Sequence, residues 1–213
     1  FQDLPRNLIR MTMPRSLTTA EVADFRERLC DAAAQIFVEK GEQGFTLREL
    51  ASKLGVSAMT PYRYFHDKDE ILAAVRARAF LQFAQTLEAA YATGTDPQSR
   101  AEATGRAYIS FALQNPGTYK LMFAMDQPEQ GTYPELERAA DRARLTLTRH
   151  VGPLIEAGLL AGDPKLVAYT YWVTLHGAVT LQLANKLDEV GYDIGGIIEA
   201  AFMALQVGFA PEQ

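Results

Sequence analysis

Apolar residues recur along this chain at steps of three and four, the spacing of an amphipathic helix, and nowhere alternate with the period of two that a half-buried strand requires. Val22, Phe25, Leu29, Ala32, Ala33, Ile36 and Phe37 form the first stripe, which Gly41 and Gly44 close. In "FTLRELASKLG" Thr46 is placed to cap a second helix, Glu49 to complete a capping box, and Phe45 with Leu50 to form a hydrophobic staple. Leu47, Leu50, Ala51 and Leu54 supply its buried face and Gly55 ends it. Ser57 is the next N-cap, which makes Ala58 the first position of a third helix and Pro61 the fourth. A proline there forfeits only the first hydrogen bond of the helix. Asp67 caps a fourth helix, with Glu70 three residues on and Ile71 as its first core contact; it runs to about Tyr91 and is closed by Gly94.

The same signals continue to the end of the chain. Asp96 with Pro97 opens another helix, and a short one follows Asn115-Pro116. A long helix is predicted from Pro134 to about Ala157 with Leu136, Ala140, Ala143, Leu147, Val151 and Leu154 as its stripe. Asp163-Pro164 opens a helix to about Leu187, and the last spans Asp193 to Phe209. "AMDQPEQGTY" is the expected mobile surface loop. The fold class is therefore all-α, with about nine helices and no repeat. The expected organisation is a basic arm over 1–18, a three-helix unit over 19–66, and a helical bundle over 67–213.

Composition narrows the function. No apolar run approaches the roughly 20 residues needed to cross a bilayer and no signal-peptide pattern opens the sequence, so no membrane partner is expected. One cysteine, Cys30, excludes an internal disulfide framework and fits a reducing, cytoplasmic setting. The net charge of −5 is unevenly spread: residues 1–80 carry 12 Lys/Arg against 11 Asp/Glu, and residues 81–213 carry 9 against 15. Binding feels the local potential, so the first part remains open to an acidic partner. The arm "FQDLPRNLIRMTMPR" adds Arg6, Arg10 and Arg15 against Asp3; it is either a nucleic-acid contact or a solvated tail.

Three short helices with a tight glycine turn between the second and third make a helix-turn-helix unit, whose third helix lies in the major groove. Ser57, Ala58, Thr60, Tyr62, Arg63 and Tyr64 would present hydroxyls, a methyl group and a guanidinium from one short segment. Hydroxyls and backbone N–H groups hold phosphates, and Ala58 or Met59 can meet thymine methyls. Phe65 turns inward as an anchor, Tyr62 serves both packing and contact, and Arg63 is either a solvated charge or a base or phosphate contact. His66, in a turn, is structural or faces a phosphate.

"RLCDAAAQIFVEKGEQGFTLRELASKLGVSAMTPYRYFHDKDEIL", residues 28–72, resembles the DNA-binding domain of the TetR family of bacterial transcriptional regulators. The resemblance rests on the "AA…F…KG" pattern, the "T…ELA…LGVS" helix and the "Y.YF..K…L" signature. It implies that Thr46, Tyr62 and Lys68 hold phosphates and that Arg48, Ala58, Met59, Thr60, Arg63 and Tyr64 sit where members vary with their operators. Thr60-Pro61 departs from many relatives, which leaves the base sequence unread.

Residues 75–213 are rich in aromatic and sulfur side chains. Most are ordinary core, yet a bundle of this length can enclose a pocket lined by apolar groups with a few polar ones. "YWVTLHGAVTLQLANKL" places Trp172 and His176 four apart on one helical face and resembles a TetR subgroup with a Trp…His-Gly signature. The expected effector-binding residues are Tyr108, Phe111, Tyr119, Met122, Phe123, Tyr169, Trp172 and His176, the last being either a pocket hydrogen-bonding group or a satisfied core histidine. The final two helices are rich in Gly and Ala (Gly177, Ala178, Ala184, Gly195, Gly196, Ala200, Ala201, Ala204, Gly208), and the resemblance implies that they pair into a homodimer. Two-fold symmetry is also what a palindromic operator on double-stranded DNA demands. The implied mechanism is a small apolar or amphipathic effector that binds the bundle, shifts the fourth helix and releases a repressor, with activation as the alternative.

An enzyme is the first rival reading. The chain shows no glycine-rich phosphate loop, G-x-S-x-G elbow or CxxC, and His66, His150 and His176 lack metal-ligand spacing, so no cofactor, metal or catalytic residue is expected. A redox sensor built on Cys30 alone and a protein-interaction scaffold are the other rivals.

Overall fold

Five predicted side-chain caps set the helix starts in the computed structural model, which describes residues 18–124, 128–129, 131–187 and 191–211. Thr46, Asp67, Asp96, Asp163 and Asp193 each accept a backbone N–H from the third residue on, at 2.8–3.2 Å. The basic arm and part of the expected surface loop lie outside the described residues. The helices are α1 (Thr19–Gly44), α2 (Leu47–Leu54), α3 (Lys68–Thr93), α4 (Pro97–Gln114), α5 (Pro116–Met122), α6 (Pro134–Thr148), α7 (Val151–Glu156), α8 (Pro164–Leu183) and α9 (Ile194–Gly208). A 3-10 turn, Pro61–Arg63, stands between α2 and α3, and the described residues contain no strand.

Helix α3 organises the rest. Its first turns bury Ile71, Leu72 and Val75 against Leu29, Ile36 and Phe37 of α1, Phe45, and Leu50 of α2. Further along, Ala79, Phe83, Ala84 and Leu87 join Tyr108 and Phe111 of α4, Tyr119 and Met122 of α5, and Leu175 and Val179 of α8. A helix buried on nearly all sides carries little amphipathic signal. Ala73 and Ala77 bring α6 close through Leu136 and Ala139, and Arg142 of α6 grips Glu88 of α3 through two bonds of 2.9 and 2.6 Å. Arg78 ties α3 to α1 through Asp31 at 2.6 Å and the Glu27 carbonyl at 3.2 Å.

The structure departs from the sequence expectation in three places. The third "helix" is a reverse turn followed by one 3-10 turn. An α-helix capped at Ser57 would send the N–H of residue 61 to the Ser57 carbonyl, and Pro61 has none; Thr60 N–H takes that carbonyl at 2.9 Å, and Arg63 and Tyr64 continue with the same tighter step. The single long helix expected from Pro134 is two, parted at Arg149 and His150, because the ring and missing N–H of Pro153 disrupt the turn four residues before it. The capping box at Thr46 is half made: the Glu49 carboxylate turns to the Lys40 ammonium, a charge-assisted contact. The last turn of α1 breaks at Gly41, which has a positive φ of 69°.

Removing the Phe83 ring, fully buried between Tyr108 and Phe111, should lower the unfolding free energy by about 3–5 kcal/mol in urea titrations for Phe83→Ala. Arg142→Ala, which removes a half-exposed ion pair, should shift the urea midpoint far less than Phe83→Ala does.

Candidate nucleic-acid interface and effector chamber

Gly55 starts the reading segment. It takes the left-handed conformation that caps α2, φ 66°, and its N–H and that of Val56 return to the helix's last carbonyls. The chain then turns through Ser57 to Thr60, whose hydroxyls sit 3.0 Å apart. Pro61 and Phe65 point inward and are buried, while Met59 and Tyr62 stand 68% and 50% exposed. Bulky side chains held in water beside a packed base are the unusual feature here, since such groups ordinarily contribute to a core. Ser57, Ala58 and Arg63 share that exposed tip, as do Thr46 and Arg48 on the neighbouring α2; Thr60 is half-buried. Neither Arg48 nor Arg63 has a carboxylate partner among the described residues.

The base of the segment is braced by a residue that sequence reasoning did not single out. Arg26 of α1 lays its guanidinium 4.0 Å over the Phe65 ring, donates to the Tyr64 carbonyl, and lies 3.8 Å from the Glu70 carboxylate. It thereby ties the end of the reading segment to both α1 and the first turn of α3. No sequence signal marks a contact 38 residues apart. Tyr64, expected among the outward residues, is half-buried with its ring tilted on Phe25 at 4.6 Å. Lys68 is half-buried, its ammonium 5.7 Å from the centre of the Phe45 ring.

His66 is exposed, with Nδ1 2.9 Å from Asp67 Oδ2. The hydrogen bond and charge of Asp67 raise the His66 pKa above the ordinary imidazole value. The bond from Glu70 N–H, then that from His66, holds the Asp67 carboxyl below the usual carboxylate range.

On the bundle side, the aromatic residues form a connected stack. Tyr108 and Tyr119 hydroxyls lie 2.6 Å apart, and the Tyr119 hydroxyl is 2.7 Å from His176 Nδ1. Burial lowers the His176 pKa and favours a neutral ring, whose Nδ1 shares a hydrogen bond with the Tyr119 hydroxyl. Burial pushes the Tyr108 phenol up to about 12 and raises Tyr119 further. Trp172 and His176, one turn apart, have ring centres separated by 5.5 Å, and Phe123 lies 4.6 Å from His176.

Two cavities meet at Trp172. The smaller, about 190 Å³, lies between α3, α6 and α8 and is lined by Phe80, Phe123, Tyr169 and Trp172 among others. The larger, about 930 Å³, opens between α4, α7, α8 and α9 and includes Tyr108, His150, Trp172 and Phe202 in its wall. Of the expected effector residues, Tyr108, Phe123, Tyr169 and Trp172 line one cavity or both. Phe111, Tyr119 and Met122 are buried in the core, and His176 stands behind the wall, bonded to Tyr119. Gly105 and His150, which face the larger cavity, had no sequence signal as effector contacts, because the space they border is formed by four helices distant in sequence.

Two family matches cover most of the chain. Residues 29–75 match the family described as bacterial regulatory proteins, tetR family, and residues 101–205 match the tetracyclin repressor-like C-terminal domain. The HTH-type transcriptional activator FasR of Mycolicibacterium smegmatis is 29% identical over 145 residues, 67% of this chain and 65% of its own length. An uncharacterized HTH-type transcriptional regulator of Mycobacterium tuberculosis is 26% identical over 168 residues, 79% of this chain and 74% of its own. A solved structure from Rhodococcus sp. RHA1, of unknown function, superposes with a TM-score of 0.77 at 27% identity, covering 93% of this chain and all of that one.

NMR titration of His66 should give a pKa above the ordinary imidazole value, and Asp67→Asn, which retains a good cap, should return it toward that value. The His66 contribution to stability is full below its unfolded pKa and fades as pH rises through its folded one. The Asp67 contribution is full above its unfolded value and fades as pH falls through its folded one, so both act together in the mildly acidic window between.

Proposed function

The chain belongs to the TetR family of DNA-binding, helix-turn-helix transcriptional regulators, and from that membership we propose that it is an effector-controlled homodimer that reads a palindromic operator in the cytoplasm. The observation that carries this reading is the exposed tip from Ser57 to Arg63, held out from a buried base of Pro61 and Phe65. Thr46, Tyr62 and Lys68 are assigned to phosphates, with His66 beside them. Arg48, Ser57, Ala58, Met59, Thr60 and Arg63 are assigned to base edges and the adjoining backbone. Tyr64 acts through its ring against Phe25, setting the angle of the tip more than touching DNA. Two guanidiniums with no carboxylate partner among the described residues suit a polyanion, and a methionine beside a methyl-bearing alanine suits thymine.

Dimerisation is supported by α9. Its sequence "IGGIIEAAFMALQVG" contains a single charge, yet Ala200, Met203, Ala204 and Val207 form an exposed stripe one helical turn apart, with Met203 at 55% and Val207 at 79%. Leu166, Val173 and Leu181 make a similar exposed row on α8. Such a continuous apolar face on two adjacent helices is the signature of a subunit contact.

The bundle over 67–213 is the sensing part in this reading, and the unit over 19–66 the reading head. Because α3 starts directly after the tip and lines the smaller cavity with Phe80 and Phe83, a ligand that favours one placement of α3 moves the tip with it. Coupling of this kind is worth about 1–3 kcal/mol and requires only that the ligand prefer the non-binding arrangement. A regulator that the effector releases from DNA in this way is a repressor. The name of FasR, an activator, supports activation as the second reading.

Tyr62→Ala should lower specific operator affinity by at least about tenfold in gel-shift titrations with an unchanged circular dichroism spectrum; loss of the fold would reduce Tyr62 to a core residue. Val207→Glu should convert dimers to monomers in sedimentation analysis and abolish operator binding, because one head alone makes half the contacts.

A further inference from the structure

Of the two cavities in the bundle, the smaller is the one that touches α3. Phe80 and Phe83 of α3 line it, with Phe123 after α5 and with Tyr169 and Trp172 of α8. Four of these rings follow one another along its wall. Phe80 and Phe123 stand 5.9 Å apart at 83°, Phe123 and Trp172 6.3 Å apart, and Trp172 and Tyr169 5.8 Å apart at 86°. Rings set edge to face offer both electron-rich faces and positive edges, so a further ring among them finds favourable partners either way.

Small residues leave the room for it. Ala140 and Ala143 stand in the α6 wall, where larger side chains would occupy the space. The volume, about 190 Å³, is below the ~300–1,000 Å³ typical of sites for drug-sized molecules. It exceeds the roughly 150 Å³ at which an apolar cavity holds benzene. The charge in the wall is already matched: Arg144 lies 2.8 Å from the Asp141 carboxylate. The Thr148 hydroxyl donates to the Arg144 and Leu145 carbonyls of its own helix at 3.3 and 3.4 Å. A charged ligand would lose water and meet a cation that already has its partner.

We propose that this smaller cavity binds an uncharged, single-ring aromatic hydrocarbon, held among Phe80, Phe123, Tyr169 and Trp172. The proposal rests on the effector-controlled reading above and names the class of effector. Phe80 packs against both the bundle's core and the contact between α3 and α6, so a ring seated beside it bears directly on α3.

The test uses the full chain with benzene, cyclohexane and benzoate, their affinities measured by calorimetric titration. Trp172 is the sole tryptophan and lines the cavity, so a change in its emission on benzene addition is a second signal. Benzene should bind about fivefold more tightly than cyclohexane, as contacts between aromatic rings allow, and more tightly than benzoate. Phe80→Leu, which keeps bulk and removes one ring, should narrow the preference over cyclohexane. Ala140→Leu, which fills the space from a half-buried position, should abolish benzene binding at an undiminished melting temperature. Gly105→Leu lies on the wall of the larger cavity, where a Cβ meets no atom within 4 Å, and should leave benzene binding unchanged.

Cyclohexane or benzoate binding as tightly as benzene, a preference untouched by Phe80→Leu, benzene binding that survives Ala140→Leu, its loss in Gly105→Leu, or no binding of benzene would each overturn the proposal. Operator release is read separately by gel shift, with a duplex selected from a random pool. Benzene that binds as described but leaves DNA affinity unchanged keeps the site and removes its effector role.

Discussion

A single helix buried in two cores is the constraint on which the rest of this structure depends. Helix α3 gives its first turns to the head, through Ile71, Leu72 and Val75, and its later turns to the bundle, through Phe83, Ala84 and Leu87. Sliding or tilting it cannot be absorbed locally, because close-packed side chains at both ends would lose contact. Arg78 on α1 and Arg142 on α6 add polar ties along its length. The two cores are therefore joined by rigid packing, with α5 as a second link: Leu121 enters the first core while Tyr119 and Met122, two residues before and one after, enter the bundle's.

The reading segment is short and tight for a reason found in one missing hydrogen. Pro61 has no N–H to give the Ser57 carbonyl, so the turn closes by three residues instead of four and the helix stops after one 3-10 turn. A segment this short cannot stabilise itself by propagation. It is held from outside, by Phe65 in the core and by Arg26 across the Phe65 ring and Tyr64 carbonyl. That arrangement leaves Met59 and Tyr62 free of packing duty and turned to solvent.

In the bundle, polarity is distributed unevenly. The Tyr108–Tyr119–His176 chain is internally bonded, with Tyr108 at the wall of the larger cavity and Tyr119 and His176 behind it, and it fixes ring orientations. Trp172 and His150 stand at the wall of the larger cavity. A satisfied network of this kind rigidifies its surroundings.

How much of this was legible in the sequence follows from the range of the interactions involved. Caps, stripes and glycine stops are local, so Thr46, Asp67, Asp96, Asp163 and Asp193 marked their helices, and the all-α class followed from periodicity alone. The order of small residue, aromatic and lysine around Tyr62 identified the helix-turn-helix family, because that chemistry is also contiguous. Where local signals competed, the outcome was less legible: Pro61 and Pro153 each changed the bonding of a preceding turn, and Glu49 was drawn to Lys40. What only the tertiary structure decided were contacts between residues far apart in the chain. Arg26 reaches Phe65, Gly105 faces a space closed by α7, α8 and α9, and Tyr64 turns in to Phe25. Periodicity specifies which face of a helix is buried, but the neighbour and the empty volume are set by how the helices pack, and that is not written at any one position.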